Sequence, residues 1–302
     1  TRKESSAASD VYKRQDIKGY WREVMRTSLN INNTLTKIDE MKGEDAVFQV
    51  LEYDELKGGK DVNTALMLSF MKDAHIKLRQ LRIMLNNGTV RIETGALHFL
   101  KGNITMENKM GGVFGLGKKM FTSKVTGETT FKPVYKGTGE IFLEPSFGHY
   151  ALIELEDEAI VVDDGLFYAC EEGIEVGAAM QKNLSSSLFG NEGLFQTKLS
   201  GSGVAALELP VPESEIIKVK LFNDTLKVDG DFAILRSGRL DFTVEKSSKS
   251  LLATATGGEG LLNVYKGTGE VWLMPTSSVY KELGTSGIEK IATPTNKRNT
   301  DE

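Results

Sequence analysis

One cysteine in 302 residues excludes most of the covalent staples a small domain can use. Cys170 has no partner for an intramolecular disulfide and can build neither a zinc-ligand set nor a redox pair, so a disulfide-framed secreted scaffold is ruled out. Long apolar runs are missing too. Nothing approaches the roughly 18–20 residues a membrane-spanning helix needs, and the start lacks the charged-then-apolar layout of a secretory signal. A soluble, cytoplasmic chain in a reducing compartment is expected. Charge of one sign is equally scarce: 42 Asp+Glu stand against 37 Lys+Arg, a net −5, which offers no strong field for phosphate backbones. Nucleic acid is therefore disfavoured as a partner.

What is present is unevenly distributed. Residues 1–15 have no apolar periodicity and no initiator methionine, and VYKRQ at 11–15 reads like translated adapter sequence, so they are set aside as a non-native, disordered leader. Residues 16–45 form an N-terminal arm of mixed spacing, read as helix plus loop. Residues 46–53 (AVFQVLEY) are strand-like. Residues 61–71 open on a capping Asp61 and place Ala65, Leu66, Leu68 and Met71 on one stripe, the short helix of the N-terminal part. From Leu85 onward, β-branched and aromatic runs alternate with glycine, asparagine and aspartate every eight to twelve residues, an all-β texture. The tail, 279–302, lacks a pattern and is expected to be flexible.

The β region repeats itself. Residues 134–145 (VYKGTGEIFLEP) and 264–275 (VYKGTGEVWLMP) match at nine of twelve positions, and 198–210 (KLSGSGVAALELP) has the same shape halfway between. The Gly-[Thr/Ser]-Gly pairs are Gly137/Gly139, Gly201/Gly203 and Gly267/Gly269, in steps of 64 and 66 residues. Gly95, Gly165 and Gly230 keep the same rhythm. Two markers at one period predict three similar β units of about 65 residues, spanning about 76–147, 148–212 and 213–278 within one domain, 46–278. Units joined head to tail bury their edges most simply by closing around a pseudo-threefold axis. The paired glycines are read as hairpin corners between flanking strands, since glycine accepts positive φ and close backbone approach.

Chemistry is harder to find. GVFGLGKK at 112–119 resembles a phosphate loop but has Lys119 where the magnesium-binding hydroxyl belongs, between strands and not before a helix. His75, His98 and His149 stand in unrelated contexts, Cys170 follows an apolar strand as a core residue would, and the acids between Glu154 and Asp164 fit no calcium loop. Glu140 and Glu270 recur, but Val204 breaks the set. No catalytic residue, cofactor or metal is assigned, and no enzyme is expected. The candidates left are glycine-rich apolar loops that precede the glycine pairs: Phe114 and Leu116 with Lys118 and Lys119 in the first, Leu188 and Phe189 in the second. They suit a protein partner or an anionic membrane surface, which would place the chain peripherally on a membrane. Association of the chain with itself is left open.

The stretches VYKGTGE at 134–140 and 264–270, DDGLFYAC at 163–170, GNEGLF at 190–195 and GGEGLLNVYKGTG at 257–269 resemble the family named for altered inheritance of mitochondria protein 24, over about 46–278. The resemblance implies a fold like the tryptophan RNA-binding attenuation protein, a double-stranded β-helix or sandwich with three units around a pseudo-threefold axis. It also implies a bacterial homologue of proteins of mitochondrial biogenesis, without an established activity or a catalytic motif to carry over. The expected function is a non-enzymatic interaction or scaffolding module. The alternative is a small-ligand or RNA-binding module that uses the β body.

Overall fold

Strands that pair on both edges must carry apolar residues on at least one face, and the three glycine-marked segments do so. The computed structural model describes residues 35–107, 132–179, 196–229, 232–246 and 261–292, all within the unit Leu35–Glu302. Its elements in order are β1 (Leu35–Lys42), β2 (Ala46–Tyr53), α1 (Val62–Asp73), β3 (Arg79–Ile92), β4 (Leu97–Glu107), β5 (Val134–Leu143), β6 (His149–Asp163) and β7 (Phe167–Glu171). They continue with β8 (Ile174–Ala179), β9 (Gln196–Leu209), β10 (Ile217–Asp229), β11 (Ala233–Lys246), β12 (Leu261–Leu273) and α2 (Ser277–Ala292). The all-β expectation therefore holds, and so does the helix over 61–71.

All twelve strands among the described residues belong to one antiparallel sheet. Its pairing follows a rule. β5 lies between β3 and β4; β9 lies between β6 on one side and β7 and β8 on the other; β12 lies between β10 and β11. Two short ladders connect these groups. Val90, Arg91 and Ile92 of β3 face Glu171, Cys170 and Ala169 of β7, and Ile160, Val161 and Val162 of β6 face Ser237, Arg236 and Leu235 of β11. The first half of β3 pairs with β2, which pairs with β1.

The closure around an axis expected from the sequence is not seen among the described strands. The sheet is open, because among the described residues β4 bonds to β5 alone and β10 to β12 alone. Two further expectations are corrected. Residues 35–42 form a strand where a helix-plus-loop arm was read: β1 is an edge strand with a register shift between Lys37 and Asp39, which breaks the alternation that would have marked it. Residues 277–292 form α2 instead of starting a patternless tail, with Tyr280 Oη donating to Glu215 at 2.8 Å.

Alternation along the strands builds three apolar clusters. The first gathers Phe48, Ile83, Ile92, Ile141 and Leu143 from β2, β3 and β5, and reaches β7 and β9 through Ala169, Val204 and Ala206. The second centres on Leu155, Val162, Phe167, Leu199 and Leu207 and takes in Trp272 and Met274 from β12 and its exit. The third is small: Leu221, Val228, Tyr265, Val271 and Leu273. Each fully buried aliphatic or phenyl group contributes about 1.5–3 kcal/mol.

Candidate interaction surface

The paired glycines are not hairpin corners, which corrects the reading from the sequence. Gly137 and Gly139 lie within β5, Gly201 and Gly203 within β9, and Gly267 and Gly269 within β12. What they permit is a close crossing of backbones in mid-strand. A Cβ on Gly137 (φ 146) would sit 2.0 Å from the Asn103 carbonyl oxygen, and one on Gly139 (φ 153) 2.2 Å from that of Lys101, both on β4. On β9, Gly201 (φ 124) would meet the Gly173 carbonyl oxygen at 2.2 Å, whereas Gly203 (φ 133) faces the side chain of Glu171, with Oε2 at 3.0 Å. On β12, Gly267 (φ 136) and Gly269 would meet the carbonyl oxygens of Arg239 and Ser237 at 2.2 and 2.1 Å.

At all three places the strand on the other side bulges. The register slips between Leu85 and Gly88, between Leu155 and Glu158, and between Leu221 and Asp224. In each slip one residue adopts the left-handed conformation: Asn87 (φ 56), Asp157 (φ 55) and Asn223 (φ 54). The hydroxyl between the glycines accepts that residue's N–H: Asn87 N to Thr138 at 2.9 Å, Asp157 N to Ser202 at 2.9 Å, Asn223 N to Thr268 at 3.0 Å. Asparagine and aspartate tolerate positive φ best among residues with a Cβ. The glycine pairs thus bend long strands, a structural role.

Phe114, Leu116, Lys118, Lys119, Leu188 and Phe189 lie outside the described residues. Several polar candidates are engaged in structural contacts. Burial pushes the Cys170 thiol up to about 12, and its Sγ lies 3.8 Å from the Ile174 carbonyl oxygen. Glu140 is engaged by Arg82 at 2.7 Å, and Glu270 accepts from Trp272 Nε1 at 2.6 Å, so the two carboxylates serve separate contacts. Glu171, almost fully buried, accepts from Val204 N at 2.8 Å. Among the described residues no three His, Cys, Asp or Glu side chains are grouped to hold a metal ion.

One polar cluster was not visible in the sequence. At the β5–β6 turn, Ser146 Oγ donates to Glu208 at 2.5 Å, lies 3.1 Å from Tyr150 Oη, and accepts from Gly148 N at 3.1 Å. Tyr168 Oη donates to the Glu144 carbonyl at 2.9 Å. Burial raises the pKa of both tyrosines. A serine that accepts a backbone N–H while donating to a carboxylate clasps a turn.

α1 carries a row of apolar side chains outward. Asp61 caps it, accepting from Thr64 N at 2.9 Å and Thr64 Oγ1 at 2.7 Å. At its other end His75 is left-handed (φ 56), His75 N bonds the Lys72 carbonyl, and Ile76 N bonds the Met71 carbonyl at 2.8 Å, a closed helix stop. Glu55 receives Lys72 at 2.9 Å and Lys57 at 3.2 Å. The inner side, Leu68 and Met71, meets Tyr53, Leu56, Ile76 and Leu78 around a cavity of about 140 Å³, below the roughly 300 Å³ where ligand pockets begin. No residue of the helix is buried. Outward point Val62 (75 % exposed), Leu66 (50 %), Met67 (63 %) and Phe70 (65 %).

A wide trough, about 750 Å³, runs over β10, β11 and β12, lined by Thr225, Lys227, Asp241, Phe242, Glu245 and Lys266 among others. Its charges balance, and Lys227 is held by Glu245 at 2.5 Å. Among the described residues no helix is long and apolar enough to cross a membrane.

A family model described as mitochondrial biogenesis AIM24 matches residues 71–276. A crystal structure of a Streptococcus pyogenes protein, a structural-genomics target, is similar with a TM-score of 0.52 and 21% identity, covering 69% of this chain and 94% of that one. That likeness supports a common fold. No curated protein matches.

Proposed function

The chain belongs to the mitochondrial biogenesis AIM24 family, and we propose that it works as a non-enzymatic docking module: a β body that carries an apolar helix for a protein partner. The observation behind this reading is the outward row of α1. Val62, Leu66 and Phe70 recur every four residues with Met67 beside them, the pattern that an apolar groove on another protein receives. The segment from Asp54 to Lys77 sets Asp54, Glu55, Asp61 and Asp73 against Lys57, Lys60, Lys72 and Lys77. Without an excess of lysine it gains nothing from an anionic bilayer, which favours a protein groove over a membrane surface. Residues 62–70 precede the family match, which suits an element that chooses the partner while 71–276 supplies the common body.

The three strand groups are, on the same reading, copies of one motif, in kinship with the attenuation protein. The bulge and hydroxyl contact that recurs at Thr138, Ser202 and Thr268 supports this. The rival reading, a small ligand in the trough over β10–β12, has volume in its favour and a neutral, ion-paired lining against it. RNA would need a basic track, which that lining lacks.

Photo-crosslinking tests the proposal. Benzoylphenylalanine in place of Phe70, expressed in the native cell, is expected to trap one defined protein, with the yield falling at least about tenfold when Leu66→Ser is added. Crosslinks to lipid alone, or co-sedimentation with anionic vesicles that Leu66→Ser abolishes, would overturn it.

A further inference from the structure

The two short ladders between strand groups share one register, and that register identifies a third site which no described strand of the chain fills. In both, the first-strand residues lie three to five positions after the left-handed bulge residue: Val90–Ile92 follow Asn87, and Ile160–Val162 follow Asp157. The same count from Asn223 gives Leu226, Lys227 and Val228 on β10. The partner residues also share a landmark. Ala169, Cys170 and Glu171 follow a register shift between Phe167 and Ala169, and Leu235, Arg236 and Ser237 follow one between Ala233 and Leu235. The third shift of this kind lies between Leu97 and Phe99, which gives Phe99, Leu100 and Lys101 on β4.

We propose that β10 of one molecule pairs with β4 of a second copy of this chain, with Leu226, Lys227 and Val228 facing Lys101, Leu100 and Phe99 in antiparallel register. Burial separates the filled sites from the empty one. Ala169 and Cys170 are fully buried, Leu235 is nearly so, and Val90, Ile92 and Val162 have no exposed surface. At the unfilled site, Phe99 is 47 % and Leu100 37 % exposed. Phe99 is held ready by stacking on Phe142, with ring centres 4.3 Å apart. On β10, Val228 is already buried, and the strand's outer backbone edge is the one that would carry the new ladder. Two joints of this kind form within the chain, and among the described residues no ladder joins β10 to β4. A head-to-tail joint that does not close on its own chain continues onto another copy, and it covers two sheet edges at once.

Cysteine pairing on the full chain tests this. Cys170 can stay, because a buried thiol is inert. Chains carrying Lys227→Cys and Leu100→Cys, mixed under mild oxidation, are expected to give a covalent dimer that neither variant gives alone. Placing both on one chain is expected to give dimers and longer species. A mixture that stays monomeric, or a doubly substituted chain that forms an internal disulfide and no dimer, defeats the proposal. Sedimentation supplies a readout free of cysteine. Leu100→Lys, facing Lys227 of the neighbour, is expected to weaken self-association about threefold to tenfold, and Leu100→Glu to strengthen it by a similar factor. Equal association in both variants would defeat the register.

Discussion

A single hydroxyl between two glycines fixes each bulge, and its worth can be measured one residue at a time. Thr268 accepts the N–H of Asn223 at 3.0 Å at an exposed site, so Thr268→Val is expected to cost about 0.5–1.5 kcal/mol in chemical denaturation. Asn223→Gly is expected to cost little, because glycine enters the left-handed region freely, whereas Asn223→Val is expected to cost about 1–2 kcal/mol. Equal losses for the glycine and valine variants would remove backbone conformation as the cause. His149 offers a second handle. Burial, and then the positive charge of Arg79, hold its imidazole below the ordinary 6.5. A histidine whose folded pKa is depressed gives up protons on folding, so its full contribution to stability is present above about pH 6.5 and is lost as pH falls through the folded value. The urea midpoint is expected to drop between pH 7 and pH 5, and His149→Gln is expected to flatten that part of the curve.

Elements with a clean period were legible in the sequence; those whose period is interrupted were not. β2 follows from AVFQVLEY because alternation and β-branching agree, and α1 follows from Asp61 and its stripe, with the cap formed as expected. β1 was hidden by its slip at Lys37, and α2 by the glycines Gly284 and Gly287, which argue against a helix unless neighbours hold it, as Glu215 does through Tyr280 and Thr276. The repeated glycines gave the position of the bends, but a bend inside a strand and a corner between strands leave the same mark in a sequence. The residues that complete the bends, Asn87, Asp157 and Asn223, carry no mark in the sequence. Each is polar and exposed, and only its φ distinguishes it. For the interaction surface the stripe was read as a helix, while its orientation was not readable. That Leu68 is half-buried and Leu66 exposed is decided by where α1 lies against Tyr53 and Ile76, a tertiary fact.

At the scale of the whole molecule, the three apolar clusters are unequal, and stability should follow them. The first two share residues across strand groups: Ala169 and Val204 enter the first cluster from β7 and β9, and Trp272 and Met274 enter the second from β12 and beyond. Unfolding either exposes part of its neighbour. The third contains five buried residues, all from β10 and β12, with the outer edge of β10 on one side. Opening it leaves most of the other two cores intact, so it is the natural unit of partial unfolding. Native-state hydrogen exchange at low protein concentration is therefore expected to show β10, and β12 from Val264 to Gly269, exchanging by an opening of lower free energy than β3, β5 and β9. Denaturant should raise exchange in the two regions with different slopes. Ile141→Ala, in the first cluster, is expected to lower global stability by about 2–5 kcal/mol, whereas Val271→Ala should mainly lower the β10–β12 opening. A single slope for all strands, with both variants shifting it equally, would mean that the open sheet unfolds as one unit despite its divided core.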